Sequence, residues 1–324
     1  MTISNYLSID VEDYFHVSAF ENVSLRCVWD KRELRVEENT ERILDRLSEA
    51  NVKATFFVLG WVAAQCPQLI KRIAAEGHEV ASHGFSHRRV CHQSREEFRN
   101  DIRRSKDLLE DLTGHLVLGY RAPSYSISPD CFWAFDEILA AGYSYDSSIF
   151  PIQHDLYGLS AWPRFAALAS RDRMGHWYPT HGRDMAEPSL LEVPITTLKL
   201  MGATLPIAGG GYFRLYPYSL TRWGLNRINQ VEKKPFVFYL HPWEIDPDQP
   251  RMTSAGLKSR FRHYLNLDRT ENRLCSLLED FSFVPIRDGL EEWRLAPLPD
   301  DDPLFLHVDR YGHSLNENPA HHVH

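Results

Sequence analysis

The chain has 324 residues, 43% of them hydrophobic and 25% charged. This is close to the average soluble globular protein and excludes a disordered tail or a fibrous repeat. A net charge of −8 does not suit binding to nucleic acid or to an anionic membrane, and no uncharged apolar run reaches the roughly 18 residues that cross a bilayer.

Taken in chain order, short β-rich runs alternate with helical patterns. Residues 6–9 read as a strand, with Asp10 at its C-terminal end. Residues 38–50 place Ile43, Leu44 and Leu47 on one helical face. The unbroken apolar run 54–58 suits a parallel strand covered on both sides. A short helix over 67–76 opens on Pro67 and stops at Gly77, and a strand follows at 78–82. Ser94 with Glu97 three residues on forms a capping-box pattern, predicting a helix to Thr113 that Gly114 ends. Beyond it come a strand at 119–121, a helix over 129–141, apolar strands at 190–193 and 236–240, one polar helix over 257–278 and a last strand near Phe283.

This alternation predicts an α/β fold built on a parallel sheet or barrel. Residues 1–290 read as one domain. Residues 291–324, with Asp300, Asp301, Asp302 and the late histidines His321, His322 and His324, read as a peripheral tail. The first residues, Met1-Thr2-Ile3-Ser4-Asn5, lack the positive region of a secretory signal. The five cysteines (Cys27, Cys66, Cys91, Cys131, Cys275) are odd in number and contain no Cys-x-x-Cys. Together these lead to the expectation of a reduced, cytoplasmic protein.

Three segments carry chemistry. Asp10-Val11-Glu12-Asp13 puts three carboxylates at the end of the first strand, and C-terminal strand ends are where parallel sheets and barrels build sites. His83 and His87 follow another strand. On a helical turn their spacing would bring both imidazoles to one face, able to share a metal. Two histidines and one carboxylate leave open positions on a catalytic divalent ion. His241 closes a third strand in Phe238-Tyr239-Leu240-His241-Pro242-Trp243-Glu244. Arg121, in Gly119-Tyr120-Arg121-Ala122-Pro123, is placed to orient a carboxylate or a substrate anion. Gly209-Gly210-Gly211 lacks nucleotide-loop spacing and suits a tight turn or a close backbone approach.

These segments, in this order, resemble the polysaccharide deacetylase superfamily, carbohydrate esterase family four. The counterparts of its five motifs are Asp10 with Glu12 or Asp13, His83-Gly84-Phe85-Ser86-His87, Arg121-Ala122-Pro123, the region of Tyr145-Asp146-Ser147-Ser148, and Leu240-His241. The resemblance spans about residues 5 to 290. Asp10-Val11-Glu12-Asp13-Tyr14-Phe15, Gly209-Gly210-Gly211-Tyr212-Phe213-Arg214 and His241-Pro242-Trp243-Glu244 resemble the branch found with bacterial exopolysaccharide and exosortase gene clusters. The sequence departs from the pattern in three places: Val11 stands between the first two acids, Gly84 replaces a Ser or Thr, and Ser124 takes the place of an aromatic, with Tyr125 one later.

The resemblance implies a distorted seven-stranded (β/α)7 barrel, with residues 1–290 as its catalytic domain. It implies a divalent metal ion, Zn²⁺ first and Co²⁺ or Ni²⁺ as options, on His83, His87 and either Glu12 or Asp13. Asp10 would be the general base, Arg121 its partner, and His241 the proton donor to the leaving amine, with Asp146 or Glu192 behind it. Tyr125 and Trp243, and with them Tyr14, Phe15 and Tyr212, are aromatic candidates for stacking on sugar. The implied activity is hydrolysis of the acetamide of an N-acetylated amino sugar, in a glycan or a lipid-linked exopolysaccharide precursor. Two other readings stay open: an allantoinase-like hydrolase of a non-sugar amide or cyclic ureide, and a carbohydrate-binding protein without catalysis.

Overall fold

The computed structural model describes residues 3–153, 158–180 and 188–290. The expectations for the tail over 291–324 lie outside these. In chain order the strands are β1 (Ser4–Val11), β2 (Thr55–Val58), β3 (Glu79–Ser82), β4 (Gly119–Tyr120), β5 (Tyr145–Asp146), β6 (Ala167–Arg171), β7 (Trp177–Thr180), β8 (Ser189–Glu192), β9 (Thr197–Leu200), β10 (Ala203–Pro206), β11 (Val237–Leu240) and β12 (Ser282–Val284). The helices are α1 (Val36–Glu49), α2 (Gly60–Gln65), α3 (Pro67–Ala75), α4 (Arg95–Thr113), α5 (Trp133–Ala140), α6 (Gly210–Leu215), α7 (Tyr218–Arg227), α8 (Leu257–Tyr264) and α9 (Leu267–Asp280). No helix among the described residues is long and apolar enough to cross a membrane.

Strands β11, β1, β2, β3, β4, β5 and β8 lie side by side in that order, all parallel. The sheet curls until its last strand nears its first. Across that seam Val237 donates its backbone N–H to Thr196 Oγ1 at 2.7 Å, and Gly209 bridges Tyr239. This is the distorted barrel expected. Two antiparallel strands, β6 and β7, extend the sheet beyond β8, and β12 adds to the first residues of β1.

Side chains of a strand alternate between its two faces. Leu7, Ile9 and Val11 of β1, Phe56 and Val58 of β2, and Phe238 and Leu240 of β11 join the core shared with the helices. The alternate positions Tyr6, Phe57, Ala81, Tyr145, Leu191, Val237 and Tyr239 form a second cluster inside the barrel. Ser8, Asp10, Arg121 and His241 continue that inner register toward the C-terminal rim. A buried apolar stripe on each strand therefore also aims the polar residues that follow it.

The capping box before α4 forms as expected, with Gly114 left-handed at φ 70°. Pro67 opens α3. Three regions differ from expectation. The single helix over 257–278 is two, because Asn266 adopts φ 52° between α8 and α9. The helix over 129–141 begins as a 3₁₀ turn before α5. Strands β6, β7, β9 and β10 and helices α6 and α7 lie in a stretch where the sequence shows only β8. In the β9–β10 hairpin Met201 and Gly202 both take positive φ, without the Asn-Gly signature that marks such turns.

Candidate active site

The C-terminal rim of the barrel gathers the acidic end of β1, the loop after β3, Arg121 after β4 and His241 after β11. Glu12, His83 and His87 each offer one ligand atom, and these atoms lie within 4.8 Å of one another. Glu12 Oε2 is 2.6 Å from His87 Nε2, yet it is buried with no hydrogen-bond partner. His83 Nδ1 lies 2.8 Å from the carbonyl oxygen of Arg121. A carbonyl can only accept, so Nδ1 carries the proton and Nε2 keeps its lone pair. Two imidazoles and a carboxylate whose buried Oε2 faces only those rings fit a divalent transition ion.

The electrostatics agree. Burial would raise the pKa of Glu12, but His87, through its charge and its contact with the carboxylate, and then His241 outweigh it and hold the carboxyl well below the usual range. Burial pushes His83 down to about 4, against the pull of Asp10, which leaves it a neutral imidazole able to act as a ligand.

The histidine pair is not helical. Gly84 has φ 72° and His87 φ 50°, so an irregular loop brings the two rings together rather than one turn of helix. Asp101 of α4 holds that loop, accepting from the backbone N–H of Phe85 at 2.7 Å and of Ser86 at 3.0 Å. Arg26 holds it from the other side, donating to the carbonyls of Ser86 and His87 at 2.6 and 2.9 Å. Gly84 is required twice over, for its φ and because a Cβ there would sit 2.8 Å from Asp101.

The structure separates Glu12 from Asp13. Asp13 turns away from the imidazoles and accepts from the backbone N–H groups of Tyr14, Arg35 and Val36 at 2.7 to 2.9 Å. It caps the start of α1 and is not in the ligand cluster, so the carboxylate there is Glu12.

Asp10 is buried and pairs through Oδ1 with Arg121 at 2.6 Å. Arg121, fully buried, also donates to Ser8 Oγ at 2.8 Å, and to the carbonyl and hydroxyl of Ser147 at 3.1 and 2.9 Å. Its guanidinium lies over the Phe57 ring at 4.0 Å. Burial would lower its pKa, but Asp10 outweighs that and raises it. Asp10 Oδ2 faces the other way, 3.9 Å from His241 Nε2.

His241 Nδ1 is 2.6 Å from Glu244 Oε1, so it donates there and Nε2 points toward Asp10 and Glu12, at 3.9 and 3.6 Å. Burial would lower the pKa of His241; Glu244, Glu12 and Asp10 together push it up to about 9. Its side chain is 17% exposed, against 2% for Asp10 and 4% for Glu12 and His87. The rim therefore opens to solvent beside His241.

Neither Asp146 nor Glu192 is the partner of His241. The two are bound to each other, and burial raises both pKa values. Asp146 alternates with the inward-facing Tyr145 and so leaves the barrel interior. Glu244 was missed, although its spacing of three residues from His241 was a local signal. Trp243 does not offer a face to a sugar. His241 stacks on it at 5.2 Å and His263 at 4.2 Å, while its indole N–H donates to Glu12 at 3.4 Å. Tyr125 is buried against Tyr239 and Phe150. Tyr14 and Phe15 are buried as well, and Tyr212 is half-buried.

A family model described as "Polysaccharide deacetylase" matches residues 24–141. Residues 24–141 thus match the polysaccharide deacetylase family. A second model, described as "Domain of unknown function (DUF3473)", matches residues 147–291. The peptidoglycan-N-acetylglucosamine deacetylase of Bacillus cereus is 42% identical over 86 residues, covering 26% of this chain and 31% of that protein. The chitooligosaccharide deacetylase of Sinorhizobium fredii is 54% identical over 48 residues, covering 15% of this chain and 22% of that protein. The chain thus spans less than a third of each of these relatives. A crystal structure of a protein from Mycobacterium smegmatis covers 94% of this chain and 96% of its own, with a TM-score of 0.56 at 18% identity, which is a likeness of fold.

Proposed function

We propose that this protein is a metal-dependent N-deacetylase that hydrolyses the acetamide of an N-acetylated amino sugar. We further propose zinc as its ion and an exopolysaccharide precursor as its substrate class. One observation carries the reading: the ligand set Glu12, His83 and His87 lies at one barrel rim together with a carboxylate held by arginine and an imidazole held by a carboxylate. The names of the Bacillus cereus and Sinorhizobium fredii relatives support the sugar acetamide as the bond.

A divalent ion held by Glu12, His83 and His87 supplies Lewis acidity, polarising the acetyl carbonyl and acidifying water. The chain's own residues do the rest. Arg121 occupies Asp10 Oδ1, leaving Oδ2 as the atom that takes a proton from the attacking water. The water oxygen bonds to the acetyl carbon. As the carbon–nitrogen bond breaks, the Nε2–H of His241 passes its proton to the departing nitrogen, giving acetate and a free amine. Burial of Asp10, Glu12, His83 and His87 keeps bulk water from screening these charges.

The test is acetate release from N-acetylglucosamine oligomers and other N-acetylated glycans, before and after chelation and on return of Zn²⁺, Co²⁺ or Ni²⁺. Chelation should abolish release, and one equivalent of ion per chain should restore it. Undiminished release after complete metal removal would overturn the reading. Sugar binding without acetate release would instead favour a carbohydrate-binding protein.

A further inference from the structure

The segment 147–291, matched as a domain of unknown function, contains His241, and it also contains two residues bound in series behind it. Glu244 Oε1 accepts from His241 Nδ1 at 2.6 Å and from the His241 backbone N–H at 3.1 Å. Its other oxygen, Oε2, accepts from Arg214 Nε at 2.7 Å. Arg214 is buried, and its Nη1 donates to the carbonyls of Arg262 and His263 at 2.9 and 2.6 Å. Each atom of the series is thus fixed by the next, ending on backbone.

The glycine run that the sequence singled out explains how Arg214 gets there. Gly209, at φ 118°, passes so close to β11 that a Cβ would lie 2.0 Å from Tyr239 O. At Gly210 a Cβ would lie 2.2 Å from the Tyr239 hydroxyl. Without side chains at these two positions, α6 docks on β11 and carries Arg214 to the back of Glu244. Burial would raise the Glu244 pKa, but Arg214 and His241 hold it down.

We propose that Arg214 and Glu244 are positioning residues that lock the His241 imidazole, with Nδ1–H bound and Nε2 turned to the metal-ligand cluster, and that this is a function of the segment 209–244. The inference rests on the deacetylase reading, and it specifies which bond the lock serves. An amine leaves an acetyl carbon poorly unless a proton is delivered in line, whereas a 4-nitrophenoxide leaves without one. The lock therefore matters for amides and much less for activated esters.

The experiment compares wild type, Glu244→Gln, Glu244→Asp, Arg214→Gln and Arg214→Lys on an N-acetylglucosamine oligomer and on 4-nitrophenyl acetate, with metal content measured in each. In Glu244→Gln, kcat on the amide should fall about 10²- to 10³-fold, with KM within about threefold and bound metal unchanged. The amide-to-ester rate ratio should fall at least tenfold. Arg214→Gln should move the ratio the same way by less, and Arg214→Lys and Glu244→Asp should recover part of it. Equal loss on both substrates, loss of metal or an unchanged amide rate would overturn the proposal. The imidazole N–H resonance that disappears in His241→Asn gives a reading independent of turnover: it should lie far downfield in wild type and move upfield in Glu244→Gln. If wild type releases no acetate from any glycan, the deacetylase reading fails. The lock then stands or falls on that resonance, and its absence from the downfield region would refute it.

Discussion

Glu12 and Asp13 are adjacent acids of similar reach, and their neighbours give them unrelated tasks. Glu12 has a buried oxygen that faces only imidazoles, while Asp13 has both oxygens on backbone N–H groups. Glu12→Gln should therefore lose bound metal, and Asp13→Asn should keep it. Asp13→Ala should instead cost about 1 to 2 kcal/mol through loss of the helix cap. Metal analysis by mass spectrometry and urea midpoints separate the two; metal loss from Asp13→Asn would reverse the assignment. Asp10 is different again, because it faces a fully buried guanidinium. Asp10→Asn should cut acetate release about 10²- to 10⁴-fold with metal retained. It should also destabilise the fold by about 3 to 5 kcal/mol, since Arg121 would then be a buried charge without its partner. Full activity in Asp10→Asn would remove it from the role of base.

At the scale of elements, the loop 83–87 places the two candidate ligands His83 and His87 without any regular structure of its own. It is held by Asp101 and Arg26, so these set how well the ligands converge. Asp101→Asn should weaken metal binding about 10- to 100-fold, the range found when groups behind metal ligands are altered. Competition with a chromogenic chelator measures it, and an unchanged affinity would mean that the loop holds its shape without the clamp. The strands that carry the site were legible because a buried parallel strand must be an apolar run, and the polar residue at its end is then conspicuous. That logic found Asp10, His83, Arg121 and His241. It could not choose between Glu12 and Asp13, because which side chain turns inward past the strand end depends on the turn that follows. It misassigned the support of His241 to Asp146 and Glu192. A period of two would have placed Asp146 opposite the inward-facing Tyr145. Arg214 was beyond reach, since its link to Glu244 exists only after α6 docks on β11. Strands β7, β9 and β10 escaped notice because they are only partly buried and lack a continuous apolar run.

For the whole molecule, histidines whose pKa burial pushes down bear on acid stability. His78 sits at the opposite end of the barrel from the site, its Nδ1 accepting the Ala54 N–H at 3.1 Å and its ring packed on Phe56. Burial, with Lys53 and Arg287 adding to it, pushes its pKa down to about 4 from an ordinary 6.5. Between these values the unfolded chain binds the proton and the folded one does not, so protons favour unfolding. The contribution of His78 is fully present above about pH 6.5 and declines as the pH falls toward 4. At 1.36 kcal/mol per unit it amounts to on the order of 3 kcal/mol. His78→Gln keeps an acceptor for the Ala54 N–H and removes the titration. Its unfolding free energy, from urea midpoints at pH 7, 5.5 and 4.5, should therefore fall less steeply with acid than that of wild type, by about that amount at the acid end. Parallel curves for the two proteins would show that His78 takes up its proton without unfolding the barrel floor, and the acid sensitivity would then belong to histidines elsewhere in the chain.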